Sequence, residues 1–240
     1  MRRLGLLFPQ DNDHAMKYPL KLSGIARVVE REIPYPKKLV GFYDQANNGC
    51  VGYSLSWAMT MLNTKRLGKP NIYIADWLYE KAQRVDGYEH SGDDGTTLRA
   101  GMDILRELGH LMPLQTEPSK GEGVERNEWA YSVDEIRTCI DDKVPVALGI
   151  AWYSSFDYPV QRNGEWWIDA IGGRFEGGHA IVAMSASDER QAVKLLNSWG
   201  KDYPPVWISY DNVRKLLSWE YGGEASIPVD RLNKYRVQWD

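Results

Sequence analysis

Two cysteines occur in this chain of 240 residues, Cys50 and Cys139, and they keep different company. Cys50 lies in DQANNGCVGYSLSWAM, residues 44–59, where a polar, turn-prone stretch gives way to a helical pattern. A thiol at a helix start faces unpaired backbone N–H groups and the positive end of the helix dipole, and both favour the thiolate. Such a thiolate becomes a useful nucleophile when a histidine stands beside it to carry a proton. Of the four histidines, His14 falls in an N-terminal arm, His90 in an acidic loop and His110 just past a helix end. His179 differs: it follows Gly177-Gly178 and opens the apolar run AIVAM. A strand there would fix its backbone while the glycines leave its ring accessible. Asn197 ends the run VKLLN, and an amide can hold one imidazole nitrogen and set the tautomer without adding charge. In an antiparallel hairpin, positions 179 and 197 would meet at the mouth of the sheet. Each of these residues has a plain structural reading when taken alone, a lone thiol being by default a small buried hydrophobe. Their combination points to a nucleophilic thiol at Cys50 served by His179. Cys139 borders an Ile136/Ile140 face and reads as core.

The elements that must position these groups fall into two halves. Val51, Leu55, Ala58, Met59 and Leu62 recur at helical spacing after Cys50, giving a helix to about Leu67 that Gly68 closes. A second helix is expected over 72–83, and a third in TTLRAGMDILRELG, capped by Thr96 or Thr97 and ended by Gly109. Residues 116–128 read as a polar surface loop between lobes. SVDEIRTCIDDK gives one more helix, capped by Ser132. Beyond it the period changes to strands: VPVALGIAWY, EWWIDAI, HAIVAMSAS, AVKLLNS and PVWISY, with Asn163-Gly164 marking a two-residue hairpin. Trp166-Trp167 reads as strand packing rather than as a substrate platform. The order, helical first and antiparallel strand second, is that of an α+β fold with two facing lobes. Residues 1–38, broken by prolines at 9, 19, 34 and 36, read as an extended arm, and 39–240 as the domain.

Bulk properties narrow the function. A net charge of −4 gives no electrostatic footprint for nucleic acid. No stretch approaches the roughly 20 apolar residues of a spanning helix, and the N-terminal apolar run is too short for a signal-peptide core. Two cysteines make no disulfide framework, so a cytoplasmic or otherwise reducing compartment is expected. The acidic stretch EHSGDDG, residues 89–95, reads as a solvated loop rather than a metal site.

Taken together, the Gln45 to Cys50 turn, GGHAIVAM and NSWG resemble the papain-like cysteine peptidases of compact bacterial and viral type. The separations agree: 129 positions from Cys50 to His179 (179 − 50) and 147 to Asn197 (197 − 50), within the roughly 130–150 of that family. The resemblance covers about residues 35–215. It implies a papain-like two-lobed fold, with a helical lobe over about 45–130, a β-barrel-like lobe over about 131–225, and the active site in the cleft. It implies a cysteine endopeptidase acting on a peptide or protein substrate through a thioester, with no cofactor or metal. Cys50 would be the nucleophile, His179 the general base and then acid, and Asn197 its orienting group. Trp199 would shield that pair, Gly178 would support it, and Gln45 would reach the oxyanion with its amide. Acyl transfer to an amine, or a non-catalytic binding module, would use the same scaffold. The chain departs from the family pattern in places. Gln45 and Cys50 are five positions apart where the family has six, the family disulfide is missing, Val51 replaces an aromatic, and KDYPPVWISY follows NSWG. The arm is shorter than the family's inhibitory propeptides, so no large zymogen segment is expected and control should lie elsewhere.

Overall fold

A computed structural model describes residues 4–8, 19–20, 28–87 and 95–230. His14, His90 and all but the last residue of the 89–95 stretch lie outside the described residues. In chain order the elements are β1 (Arg31–Glu32), α1 (Cys50–Leu67), α2 (Ala75–Asp86), α3 (Leu98–Glu107), β2 (Val124–Ala130), α4 (Val133–Asp141), β3 (Val146–Tyr153), β4 (Val160–Arg162), β5 (Glu165–Ile168), β6 (Phe175–Ser187), β7 (Ala192–Leu196), β8 (Val206–Ser209), α5 (Tyr210–Leu216) and β9 (Glu224–Asp230). This is a mixed α+β fold, helical first and sheet-rich after.

Helix α1 is the hub. Residues 50–63 are all buried, so apolar side chains lie on every face instead of in one stripe, and the hydroxyls of Ser54, Ser56 and Thr60 among them donate to the Val51, Gly52 and Asn71 carbonyls. Gly68 ends it at φ 69° with its N–H on the Thr64 carbonyl. Helix α3 is capped by Thr97, whose hydroxyl accepts from the Ala100 N–H at 3.1 Å. Ser132 and Glu135 form a reciprocal capping box on α4. Helix α2 begins at Ala75 and runs to Asp86, three residues later at each end than its apolar pattern suggests. The reason lies in Ile74, whose N–H bonds the Leu111 carbonyl while its own backbone stays extended.

The strands form one sheet in the order β2-β9-β3-β6-β7-β8-β5-β4, with β1 also on β6. All pairs are antiparallel except β5 with β8. Asn163 and Gly164, at φ 49° and 79°, make the expected tight turn between β4 and β5. Trp167 stacks on Trp207 at 6.0 Å. Three features correct the sequence expectations. Val124–Ala130 is a strand, not the end of a surface loop, because Val124, Asn127, Trp129 and Ala130 turn inward against β9. Helix α5 and strand β9 had no signal strong enough to name them. The arm is also less detached than its prolines suggest: Leu6, Leu20, Val28 and Ile33 are buried, and β1 pairs with the end of β6.

Two apolar clusters fill the interior. One lies around the sheet, α4 and α5; the other gathers α1, α2, α3, Leu6, Ala147 and Ala180. Cys139 sits in the first, buried on α4, as its sequence setting indicates. Cys50 belongs to the second, where the helical half meets β3 and β6.

Candidate active site

Cys50 is the first residue of α1, and its N-cap, Gly49, offers no side chain to the helix N-terminus. The turn before it is pinned: Asn47 Oδ1 accepts from the Gly49 N–H at 2.8 Å, and Asn47 Nδ2 donates to Asp76 on α2 at 3.0 Å. The thiol then faces the backbone N–H groups of Cys50, Val51, Ala180 and Gly5. Ala180 follows His179 in β6, so the strand that carries the imidazole also touches the thiol. All four N–H groups favour the thiolate, but complete burial outweighs them and pushes the thiol up to about 11.

His179 lies opposite Ile150 in the β3–β6 ladder and is fully buried. Its Nε2 is 2.8 Å from Asn197 Oδ1, just past the end of β7. The same oxygen accepts the Ser198 N–H at 2.8 Å, which fixes which way the Asn197 amide faces. An amide oxygen only accepts, so Nε2 must carry the hydrogen and Nδ1 is the basic nitrogen of the neutral ring. The Trp199 ring covers the imidazole at 4.7 Å, tilted 33°, and Trp152 meets it edge-on at 4.7 Å. Both rings limit water access to the His179–Asn197 bond.

Gln45 is buried and ties the two turns together. Its N–H donates to the Ser198 carbonyl at 2.8 Å, and its Oε1 accepts from Ser198 Oγ at 3.1 Å. Its Nε2 donates to the Asn47 carbonyl at 3.1 Å. The short step from Gln45 to Cys50 folds back over Asn47 and brings that carbonyl within reach of the amide expected to meet an oxyanion. Gln45 is thus beside the thiol's turn, with one amide hydrogen engaged locally.

The structure also brings a group that sequence reasoning missed. Leu6 donates its N–H to the Gly178 carbonyl at 3.1 Å, and Leu7 donates to the Thr96 carbonyl at 3.0 Å. Thr96 returns its N–H to the Gly5 carbonyl at 2.8 Å. The segment Leu4–Phe8 therefore runs as an extra strand between the helical half and β6, with Gly5 directly over Cys50. The fit has no slack. A Cβ at Gly5 would stand 1.7 Å from the Asn48 carbonyl oxygen, and one at Gly178 would stand 2.2 Å from the Leu6 carbonyl oxygen. The arm is short, as expected, and its Leu4–Phe8 segment packs over the thiol. LGLLF was visible as a short apolar run; nothing local says where such a run will dock. Trp152 likewise stood within GIAWY without a sign that it would face His179.

Among the described residues, no group of three or more His, Cys, Asp or Glu side chains could hold a metal ion. No helix among them is long and apolar enough to cross a membrane.

No protein-family model matches the chain, and no curated protein matches it by sequence. Solved structures do match. Xylellain, a cysteine protease from Xylella fastidiosa, superposes with a TM-score of 0.73 at 15% identity, covering 95% of this chain and 98% of that one. Digestive procathepsin L 3 of the Tenebrio molitor larval midgut gives 0.64 at 13% identity, over 88% and 73%. The Carica candamarcensis cysteine protease CMS1MS2, solved with E-64, gives 0.59 at 13% identity, over 84% and 98%. The chain therefore has the fold of the papain-like cysteine proteases.

Proposed function

We propose that this protein is a cysteine peptidase that cleaves peptide bonds through a thioester on Cys50 and is latent while Leu4–Phe8 lies across the site. The observation that carries this reading is the 2.8 Å bond from His179 Nε2 to Asn197 Oδ1. It presets the tautomer in which Nδ1 can accept a proton, on the strand whose Ala180 N–H touches the thiol. Once the arm leaves, water reaches the site, the desolvation penalty falls, and the helix N-terminus and neighbouring N–H groups favour the thiolate.

In the reaction His179 Nδ1 takes the Cys50 proton, and Sγ attacks the peptide carbonyl carbon. The oxyanion that forms meets the Cys50 N–H and the Gln45 amide, a type of stabilisation worth about 3–4 kcal/mol per donor. Collapse expels the amine, which receives its proton from His179. A water then attacks the thioester while His179 accepts its proton, and the carboxylic acid leaves with Cys50 restored. Asn197 keeps the ring in one plane and one tautomer through both halves.

Labelling with an epoxide that traps thiolates tests this. The Gly5→Ala chain, with its arm displaced, is expected to label on Cys50, and its Cys139→Ala counterpart equally. Adding Cys50→Ala should abolish labelling. Labelling that persists without Cys50, or its absence when the arm is displaced, would sink the reading.

A further inference from the structure

We infer that Trp152 and Asp157 are a positioning pair for His179, the indole fixing the plane of the imidazole and the carboxylate favouring its charged form. This rests on the peptidase reading above, in which His179 presents Nδ1 to the thiol and holds a proton between two steps. Ile150 faces His179 across the β3–β6 ladder, and Trp152 faces Gly177 two residues further along. Alternation puts Trp152 on the same side of the sheet as His179, within diagonal reach of it. The indole is fully buried and meets the imidazole at 4.7 Å and 73°, and the Trp199 ring at 4.9 Å and 76°.

The Asn197 bond holds Nε2, but a single hydrogen bond leaves the imidazole able to swing about it. Trp199 lies along the imidazole, tilted 33°. Trp152 stands across the imidazole plane, so a swing drives the ring against one indole or the other. Trp152 can act as a stop because it is clamped in turn. Its Nε1 donates to Asp157 Oδ1 at 2.9 Å, and Phe156 meets it edge-on at 5.2 Å. Both residues belong to the 3-10 turn Ser154–Asp157, and the Phe156 carbonyl accepts the Tyr203 hydroxyl at 2.8 Å.

Asp157 also brings a charge to this corner. The Nε1–Oδ1 bond, the indole and the ring contact, laid end to end, put its carboxylate at most about 10 Å from the imidazole. The segments that pack around His179 also carry Cys50 at the start of α1, Asp44 before it, Tyr153 ending β3, Glu176 on β6, Lys194 on β7, and Lys201 and Asp202 after Trp199. Glu176 is paired with Arg174 at 2.8 Å and Lys194 with Glu165 at 3.3 Å. Lys201 and Asp202 are of opposite sign. The Asp157 bond to Trp152 is made to a neutral donor and brings no opposing charge. A carboxylate at that distance favours the imidazolium that forms when His179 takes the thiol proton.

The test uses the full chain carrying Gly5→Ala. Trp152→Phe keeps an apolar ring and loses the bond to Asp157, whereas Asp157→Asn keeps an acceptor for the indole and loses the charge. With a fluorogenic peptide that the parent cleaves, Trp152→Phe should lower kcat by about tenfold or more with KM little changed, because small misplacements of a reacting group are costly. His179 itself is read by NMR, from the pH titration of its ring protons in chains that also carry Cys50→Ala. Asp157→Asn should lower that midpoint by about 0.3–1 pH unit, a shift that mere loosening of the turn would not produce. The NMR arm decides the matter even where Trp152→Phe does not fold. An unchanged kcat in folded Trp152→Phe, or a midpoint unmoved or raised in Asp157→Asn, would overturn the pair. A parent chain that cleaves no peptide, with the midpoint falling as stated, overturns the peptidase reading and supports the pair.

Discussion

The Gly5→Ala substitution is the sharpest probe of how this site is held. The added Cβ would stand 1.7 Å from the Asn48 carbonyl oxygen and 2.7 Å from the Asn48 Cβ. The first of these is backbone, and it belongs to the turn pinned by Asn47 to Asp76, so the arm has to give way. Leaving breaks three inter-chain-segment hydrogen bonds, at 3.1, 3.0 and 2.8 Å, each worth about 1 kcal/mol net. It also exposes Leu6, now 4% exposed, at about 1.5–3 kcal/mol. Docking therefore loses roughly 4–6 kcal/mol, or about three to four decades in the closed-to-open ratio. The thiol adds a pH signature. At a value of about 11, only about one thiol in ten thousand is ionised at pH 7. Because the docked state binds the thiol proton more tightly than an exposed thiol does, docking is fully favoured below about pH 9. It weakens as pH rises toward 11. The assay is the rate of Cys50 alkylation against pH, followed by mass spectrometry. Wild type should react slowly near neutrality and accelerate steeply toward pH 11. Gly5→Ala should react at least about a hundredfold faster at pH 7, with its midpoint shifted to lower pH. Equal rates in the two proteins, with unchanged circular dichroism, would refute the account of occlusion.

Gly178→Ala separates arm from substrate. Its Cβ would stand 2.2 Å from the Leu6 carbonyl oxygen, so a small alkylating reagent should gain access to Cys50 while peptide cleavage is lost. Parallel changes in the two readouts would contradict a shared groove. Asn197→Ala removes the acceptor 2.8 Å from His179 Nε2 and should lower kcat by about tenfold with little change in KM, as steady-state kinetics in the Gly5→Ala background would check. His110 is buried against Tyr73 and bonded to Ser56 Oγ at 2.9 Å, and burial lowers it to about 3. Its folded value is depressed, so the stability it protects is present above about pH 6.5 and is lost as pH falls toward 3, by up to about 5 kcal/mol. Urea unfolding at pH 7 and pH 4 should show a smaller pH difference in His110→Gln than in wild type, and equal differences would discount this histidine. Removing the α4 cap with Ser132→Ala should cost about 1 kcal/mol and lower Tm by about 2–4 °C, read by thermal melting.

The sequence carried the local decisions. Thr97 and Ser132 announce their helices because a cap is chemistry between residues three apart. Asn163-Gly164 announces its hairpin because only such residues accept positive φ at both positions. Cys50, His179 and Asn197 could be named together because order, spacing and flanking glycines are one-dimensional facts. Tertiary structure decided what depends on distant partners. Val124–Ala130 is a strand only because β9 lies beside it, and β9 comes about a hundred residues later. The Asn197 orientation that sets the His179 tautomer follows from a hydrogen bond geometry that spacing cannot give. Leu6 is an ordinary leucine until Gly178 and Thr96 offer their carbonyls from either side. Glu224 is an ordinary surface-type residue until Gly149, seventy-five positions earlier in the chain (224 − 149), lacks a Cβ and leaves room for its side chain beside Leu6. Burial is a property of the packed whole, so the packing that hides the Cys50 thiol is also what pushes its pKa up and favours the protonated form.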